Sequence, residues 1–427
     1  MSSFVPTVIG KSVRHLSQLR GGGSALPGLV VEKISPTYLQ KTLKDLPYGV
    51  VVISGTNGKT TTTKIIVELL EAAGLKVFTN KTGSNFTRGV IASMLGENSL
   101  SGKLSADIAV LELDEAHAVH FVNKVTPKYS LLLNVMRDQL DRFGEVDYTA
   151  SLLEKIADKT TDKIITNRED SRLVKFVDKF GTDKVLLFGL NPKLKNKFPN
   201  DDELYGDTNT NQLPITTELT SAVGKTACFT FPDSQSKKNY STELKLEGIY
   251  NIFNAAAALA LVREILGDKM TDRQLVDHLS TVKPAFGRGE TLTIDGQPLE
   301  LVLVKNPAGF RLGLSSFKPV GYSTMIAIND EHADGRDLSW LWDVDFSSLK
   351  KGRVKMISGS RAYDMALRLA YDKVKLYEVD TDLKNALAIF LEKSTDAPKR
   401  IYCSYTAMLE LRRELEKITN VKKIGVR

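Results

Sequence analysis

Cysteine is nearly missing from this chain. Cys228 and Cys403 stand far apart among 427 residues, which excludes a disulfide framework and a four-cysteine zinc site and leaves them as reduced core or surface thiols. Long apolar runs are missing too. No stretch approaches the roughly 18 consecutive apolar residues of a membrane span, and the first residues lack the apolar segment of a signal peptide. The expectation is a cytosolic protein with no transmembrane segment. There is also no RNA-binding aromatic motif and no zinc-finger spacing. The excess of 58 Lys and Arg over 51 Asp and Glu, formally +7, is therefore diffuse, and no nucleic acid partner is expected. The local exception is the segment 1–45, where Lys11, Arg14, Arg20, Lys33, Lys41 and Lys44 are set against only Glu32 and Asp45. The reading there is a solvated helical face, with anionic lipid headgroups as the alternative.

Length and an apolar fraction of 42% supply enough material for two or three domains with sizeable cores. The sequence is organised around Gly55-Thr56-Asn57-Gly58-Lys59-Thr60-Thr61, which follows the β-branched run Val50-Val51-Val52-Ile53. The spacing is shorter than the full G-x-x-x-x-G-K-[ST] phosphate loop, so its context carries the reading. A buried strand feeds a glycine-rich turn whose N–H groups can cradle oligophosphate, and the helix opening at Thr60 points its positive end at the same anion. Lys59 then reaches the terminal phosphates and the Thr60 hydroxyl is a magnesium ligand. Ile65, Ile66, Leu69, Leu70 and Ala73 recur at helical spacing up to Gly74, a helix-ending glycine.

Further strands are expected at 76–79, 107–113, 129–134, 163–166 and 184–188, with helices at 8–20 and 36–44 and in most intervals between strands. That alternation predicts an α/β fold with a mainly parallel sheet covered on both faces. Residues 192–240 read as an irregular insertion of loops and small hairpins, and the alanine-rich stretch 251–260 as a buried helix. A second alternating series begins near 297. The expected organisation is a central ATP-binding domain over 1–296 and a smaller C-terminal α/β domain over 297–427.

Two more motifs carry candidate chemistry. Leu111-Glu112-Leu113-Asp114-Glu115 ends an apolar strand, where a carboxylate beside a phosphate-loop strand can hold magnesium. Glu112 is the first choice because strand alternation sets it apart from its leucine neighbours; Asp114 is the alternative. Leu133-Asn134-Val135-Met136-Arg137-Asp138-Gln139-Leu140-Asp141-Arg142-Phe143-Gly144 packs acids, arginines and amides into one turn, suited to magnesium-bound water or an acidic substrate. Asn167 and Asp170 follow a strand and are candidates for the nucleotide's base or ribose.

These motifs, together with Asn251-Ile252-Phe253-Asn254 before the alanine helix, resemble the Mur ligases, which use ATP to convert a carboxylate into an acyl phosphate that an amine attacks. Within that family the likeness is to the MurT-like branch and spans nearly the whole chain. Its marks are Thr82-Gly83-Ser84-Asn85-Phe86-Thr87-Arg88-Gly89, Lys305-Asn306-Pro307-Ala308-Gly309, Asp334-Gly335-Arg336-Asp337-Leu338-Ser339-Trp340 and Ser358-Gly359-Ser360-Arg361-Ala362.

The resemblance implies a ligase of peptidoglycan biosynthesis. Its substrate is lipid II at the inner membrane face, whose stem-peptide D-glutamate α-carboxylate becomes D-isoglutamine with ammonia from a separate glutaminase subunit of the GatD type. It implies ATP and Mg2+ as cofactors. Lys59 and Glu112 are then catalytic, and residues 55–61 with Asn85, Asn167, Asp170, Asn251 and Arg288 are nucleotide-binding. Asp337 completes the partner's Cys-His pair by orienting the imidazole; an ordinary loop ion pair of Asp334, Arg336 and Asp337 is the competing reading. By position, Arg288 in the interdomain turn and Lys305 at the end of the second unit's first strand mark where closure over the acyl phosphate is expected, with an exposed cation as the equal alternative for each. Three departures stand out. The four-cysteine zinc ribbon common in the branch is missing, so no zinc is expected; Gln139 stands where many Mur ligases have histidine; and the early phosphate loop leaves no room for a UDP-binding domain, which suits a lipid-linked substrate. An amino-acid-adding ligase, a nucleotide-dependent switch and a non-catalytic scaffold are the rival readings.

Overall fold

The computed structural model describes residues 3–19, 25–80, 85–137, 146–198, 213–232, 238–245, 248–283, 288–316 and 319–419. It falls into two units, Met1–Met136 with Val146–Lys283, and Arg137–Glu145 with Pro284–Arg427.

In the first unit α1 (Phe4–Leu19), α2 (Leu26–Ile34) and α3 (Tyr38–Leu43) precede β1 (Val50–Ser54). Next come α4 (Lys59–Ala72), β2 (Val77–Thr79), α5 (Thr87–Glu97), β3 (Ile108–Glu112), α6 (Glu115–Val122), β4 (Tyr129–Leu132), α7 (Val146–Lys159) and β5 (Lys163–Asn167). The unit continues with α8 (Phe176–Phe180), β6 (Val185–Leu190), β7 (Thr217–Val223), β8 (Thr226–Thr230), β9 (Asn239–Glu243), α9 (Ile249–Leu266) and α10 (Asp272–His278). Pro27 does not interrupt α2, because its missing N–H falls in the first turn, where no intrahelical bond is lost.

The sheet order is β2-β3-β1-β4-β5-β6-β7-β8-β9, parallel from β2 to β7. The insertion expected at 192–240 contributes an antiparallel edge: β7, β8 and β9 continue the sheet through hairpin pairings. β1 is buried along its whole length, as a β-branched run between two covered faces should be. After β1 the chain crosses to β2 and β3 on one side, then to β4 on the other. That reversal puts the switch point of the sheet, where α/β folds bind ligands beyond the strand carboxyl ends, at the end of β1.

α9 is the one described helix long and apolar enough by composition to cross a membrane. It is instead a core helix: Ile252, Phe253 and every residue from Ala255 to Val262 are buried, and it packs on α4 and the sheet. Its alanines let the two helices approach closely, so its apolar surface is consumed inside the unit.

The second unit contains β10 (Arg288–Ile294), β11 (Gln297–Leu303), α11 (Pro307–Ser316), β12 (Ser323–Ala327), β13 (Arg353–Ser358), α12 (Ala362–Tyr371), β14 (Leu376–Asp380), α13 (Leu383–Glu392), β15 (Lys399–Cys403) and α14 (Tyr405–Leu415). Its sheet runs β10-β11-β15-β12-β13-β14, parallel except for the β10–β11 hairpin. That hairpin moves the change of unit to Pro284, whereas the boundary expected at 296/297 falls in the turn between two paired strands. Alternate residues feed opposite faces: Met325 and Ala327 join one apolar cluster with Leu299 and Leu301, while Ile326 and Ile328 join another with Phe310 and Trp340. Buried Arg400 binds Glu300 at 2.8 Å and lies 3.8 Å from the Tyr322 ring centroid, and the Tyr322 hydroxyl donates to the same carboxylate at 3.0 Å. All three groups have partners, as burial of charge requires.

Candidate active site

The turn after β1 needs glycine twice. Gly55 has φ +130° and Gly58 has φ +92°, backbone conformations that side chains resist. A Cβ on Gly58 would also lie 2.5 Å from Asn254 Oδ1, so α9 presses directly on the loop. Asn134 fastens the other side: its main-chain oxygen accepts from Thr56 N at 3.0 Å, its Oδ1 accepts from Asn57 N at 2.9 Å, and its Nδ2 donates to Asn57 O at 2.9 Å. Met136 N donates to Thr56 Oγ1 at 3.1 Å. The loop is thus held in shape by residues from β4's exit and from α9, and the first-turn N–H groups of α4, which have no intrahelical acceptors, open at its mouth.

Buried Lys59 bends back over this turn. Its Nζ donates to Gly55 O at 2.6 Å and stands 3.5 Å from Asp114 Oδ1 and 3.6 Å from Glu115 Oε1. Thr60 Oγ1 donates to Glu112 Oε1 at 2.8 Å. Glu112 is aimed by a reciprocal clamp from Asn80, which donates Nδ2 to Glu112 O at 2.8 Å and accepts Glu112 N at Oδ1 at 2.9 Å. The two expected magnesium ligands are therefore neighbours, both hard oxygen donors of the kind that ion takes. Asp114, the alternative, is directed at Lys59. The hydroxyls of Thr61, Thr62 and Thr63 are buried with no hydrogen-bond partner among the described residues. The residues present fit an oligophosphate and its cation.

Of the remaining expected residues, Asn85 contributes its main-chain oxygen to Asp114 N at 3.2 Å, tying the start of α5 to the end of β3. Asn167 is buried and accepts from Glu169 N at 3.0 Å. Asp170 uses both carboxylate oxygens on backbone, accepting from Val135 N at 2.7 Å and from Arg172 N and Leu173 N at 3.0 Å each. Asn251 lies one helical turn before Asn254, on the same side of α9. Residues 81–84 and 138–145, with Thr82-Gly83-Ser84 and Gln139, lie outside the described residues, as does the side chain of Arg288. The site residues that sequence reasoning missed are Asn80 and the loop-packing role of Asn254. A lone asparagine after a three-residue strand carries no pattern that could have singled out the first.

Glu112→Gln is expected to keep the Asn80 clamp, which engages main chain, while removing a charged oxygen from the cation. The magnesium concentration for half-maximal turnover should rise about ten-fold or more. A magnesium titration of steady-state turnover checks this; an unchanged midpoint moves the ligand role to Asp114.

In the second unit the loop after β12 gathers the other expected motifs. Buried Asp334 accepts Thr406 N at 2.8 Å and the Thr406 hydroxyl. Asn329 Oδ1 accepts Ser360 N at 3.0 Å, and Asp330 accepts the Ser360 hydroxyl at 2.8 Å and Arg361 Nε at 2.9 Å. The Ser360 bond holds the Asp330 carboxyl below its ordinary range, with Arg361 acting in the same direction against burial. Half-exposed Asp337 accepts from Ser339 N at 2.8 Å and Ser339 Oγ at 3.0 Å, just ahead of the 3-10 turn Ser339–Asp343. The motif's two acids thus do different work: Asp334 is an internal strut, and Asp337 shapes the turn with part of its carboxylate open to solvent.

Residues 53–262 match the Mur ligase middle domain, and residues 303–408 match the family described as MurT ligase C-terminal. The Streptococcus pneumoniae protein named lipid II isoglutaminyl synthase (glutamine-hydrolyzing) subunit MurT is 30% identical over 445 residues, covering 97% of each chain. Its namesake from Staphylococcus aureus strain COL is 27% identical, covering 96% of this chain and 98% of its own. Among solved structures, MurF ligase from Thermotoga maritima, determined in complex with ADP, aligns with TM-score 0.65 at 17% identity over 90% of this chain and 84% of its own, a likeness of fold. Both halves of the chain, matched separately and then together by relatives aligned over nearly their whole length, give one answer: this chain belongs to the MurT family of the Mur ligases.

Proposed function

We propose that this chain is the synthetase subunit of a glutamine-dependent ligase that amidates the D-glutamate α-carboxylate of the lipid II stem peptide to D-isoglutamine. It acts in the cytoplasm at the inner membrane face. The observation that carries the reading is the Thr60–Glu112 contact at the mouth of the loop held by Asn134 and Asn254, in a chain whose relatives bear that enzyme's name.

The chemistry explains why ATP is needed. A carboxylate at neutral pH has no leaving group for ammonia to displace. Transfer of the γ-phosphoryl of ATP to a carboxylate oxygen gives an acyl phosphate and ADP. The ammonia lone pair then attacks the carbonyl carbon, the C–O bond to phosphate breaks, and the nitrogen loses a proton, leaving amide and inorganic phosphate. Lys59 and the α4 N–H groups would neutralise and orient the transferring phosphoryl group. Thr60 and Glu112 would hold magnesium, which when bound shares in that neutralisation. Asn167, Asn251 and Arg288 are the further candidates for nucleotide contact, and Asp170 assists by fixing the loop after β5. Ammonia would come from a GatD-type glutaminase whose Cys-His pair is completed by Asp337.

The direct test is mass analysis of lipid II incubated with the chain, magnesium-ATP and ammonium. Conversion of one carboxyl to an amide with ATP consumed is the expected result. No conversion, either alone or with a coexpressed glutaminase, would reduce the Mur-ligase likeness to fold.

A further inference from the structure

Helix α1 leaves four large apolar residues exposed on its outer face. The side it buries consists of Pro6, Thr7 and Gly10. Gly10 sits so close to Val31 and Leu95 that a Cβ there would lie 2.5 Å and 2.7 Å from them. Thr7 Oγ1 lies 2.9 Å from Tyr38 Oη, which accepts from Asn98 Nδ2 at 2.9 Å. These small and polar groups pin the helix in place.

Val8, Ile9 and Val13 are half-buried, but four further large apolar residues are exposed. Phe4 is 50% exposed, Val5 56%, Leu16 58% and Leu19 71%. At about 100° per residue these four fall within roughly one third of the helix circumference, a single outward stripe. Helix α2 adds Leu26 and Ile34, both exposed. Isolated exposed leucines need no explanation, but an apolar stripe on a helix whose buried side is already satisfied marks a surface that meets something other than water.

The charge around the stripe identifies what it meets. Helix α1 has no acidic residue; its Lys11 is half-buried, and its Arg14 guanidinium packs against Gly96 of α5. Exposed Lys33 precedes Ile34, and exposed Lys41 and Lys44 follow in and just after α3. Glu32 is engaged by Arg88 at 2.8 Å and Lys124 at 2.5 Å, which offsets its charge; Asp45 is the one other acid of residues 1–45, and it shares a cleft with Ser3, Lys41 and Asp107. An apolar stripe with a cationic surround is the composition of helices that lie in the interface of anionic bilayers, where apolar burial and headgroup attraction add.

We infer that the outward faces of α1 and α2 dock this protein onto an anionic phospholipid membrane, α1 lying in the headgroup layer. The inference deepens the proposed function and rests on it for its purpose, since a lipid-linked substrate has to be met at a bilayer. The binding itself is measurable without any turnover.

The full chain would be sedimented with vesicles of phosphatidylcholine plus phosphatidylglycerol, and with phosphatidylcholine alone, at low and high salt. Binding is expected to the anionic vesicles and to weaken with salt. Leu16→Ser with Leu19→Ser should lower partitioning about ten-fold or more, and Lys11→Gln with Lys33→Gln about five-fold for each charge removed. Val223→Ser, at an exposed apolar residue of β7 in the same unit, should leave it unchanged. Turnover of detergent-solubilised lipid II by the leucine variant should match the parent chain, so that loss of docking and loss of the reaction are told apart. Vesicle binding that is absent, or equal in parent and leucine variant, overturns the inference. So does a dimer that the leucine substitutions dissolve, which would assign the stripe to a second copy, or membrane recruitment that requires the glutaminase, which would assign it to a protein partner.

Discussion

Replacing Lys59 by alanine is expected to lower ATP-dependent turnover about 10³-fold with either ammonium or glutamine as nitrogen source. The ammonium is buried, held over the phosphate loop by Gly55 O at 2.6 Å, and flanked by Asp114 and Glu115. It lies at the start of α4, where the positive end of the helix and the loop amides converge, and in a low-dielectric site its charge counts for far more than in water. The same environment creates a confounding effect. Without Lys59 the buried Glu115 carboxylate loses a countercharge, which costs up to about 3 kcal/mol of stability. Thermal unfolding must therefore accompany the rate measurement. Lys59→Arg is the companion variant: it restores the positive charge but not the shape of a single compact ammonium, so stability should recover more than rate. A folded Lys59→Ala chain with undiminished turnover would exclude this loop as the site of phosphoryl transfer.

Replacing Asp337 by asparagine is expected to lower glutamine-driven amidation by roughly 10³ to 10⁴-fold while leaving ammonium-driven amidation unchanged. That magnitude is typical when an aspartate that orients a catalytic imidazole is neutralised, because the wrong tautomer is then favoured. The local geometry makes the experiment clean. Asparagine keeps an oxygen for Ser339 N, which Asp337 accepts at 2.8 Å, and its amide can meet the Ser339 hydroxyl now at 3.0 Å. Ser339→Ala removes the hydroxyl bond and keeps the backbone one, and should cost about 0.5–1 kcal/mol of stability with little effect on either nitrogen source. Equal loss with ammonium and glutamine in the asparagine variant would make Asp337 a residue of the turn or of the synthetase, and would detach it from the glutaminase.

Much of the site was readable in advance because its parts are local. A β-branched run before a glycine-rich turn can hardly fold other than as buried strand, tight loop and helix start, and the Leu-Glu-Leu-Asp alternation already separates Glu112 from its apolar neighbours. The strands at 107–113, 129–134 and 163–166 appear as β3, β4 and β5 within a few residues of the expected bounds. The edge formed by β7, β8 and β9 was less legible, since its strands are polar and half-exposed, and their pairing fixes them more than their composition does.

Other features appear only when distant segments meet. Asn80 clamps Glu112 from 32 residues away, Asn134 holds Asn57 from 77 residues away, and Asn254 packs on Gly58 from the far end of the unit. A single amide has no periodicity, so its partner cannot be read from its own neighbourhood. The N-terminal helices make the same point. Their sequence shows an amphipathic, basic segment, but a helical pattern does not say which side faces the core. Sequence by itself determined the alternating α/β plan, the glycine-rich turn between strand and helix and the carboxylate beside it, because β-branching, glycine conformation and helical period act over a few residues. Tertiary structure decided which asparagines hold that site, where the second unit begins, and that Phe4, Val5, Leu16 and Leu19 of α1 stay exposed, because burial depends on what the rest of the chain brings alongside.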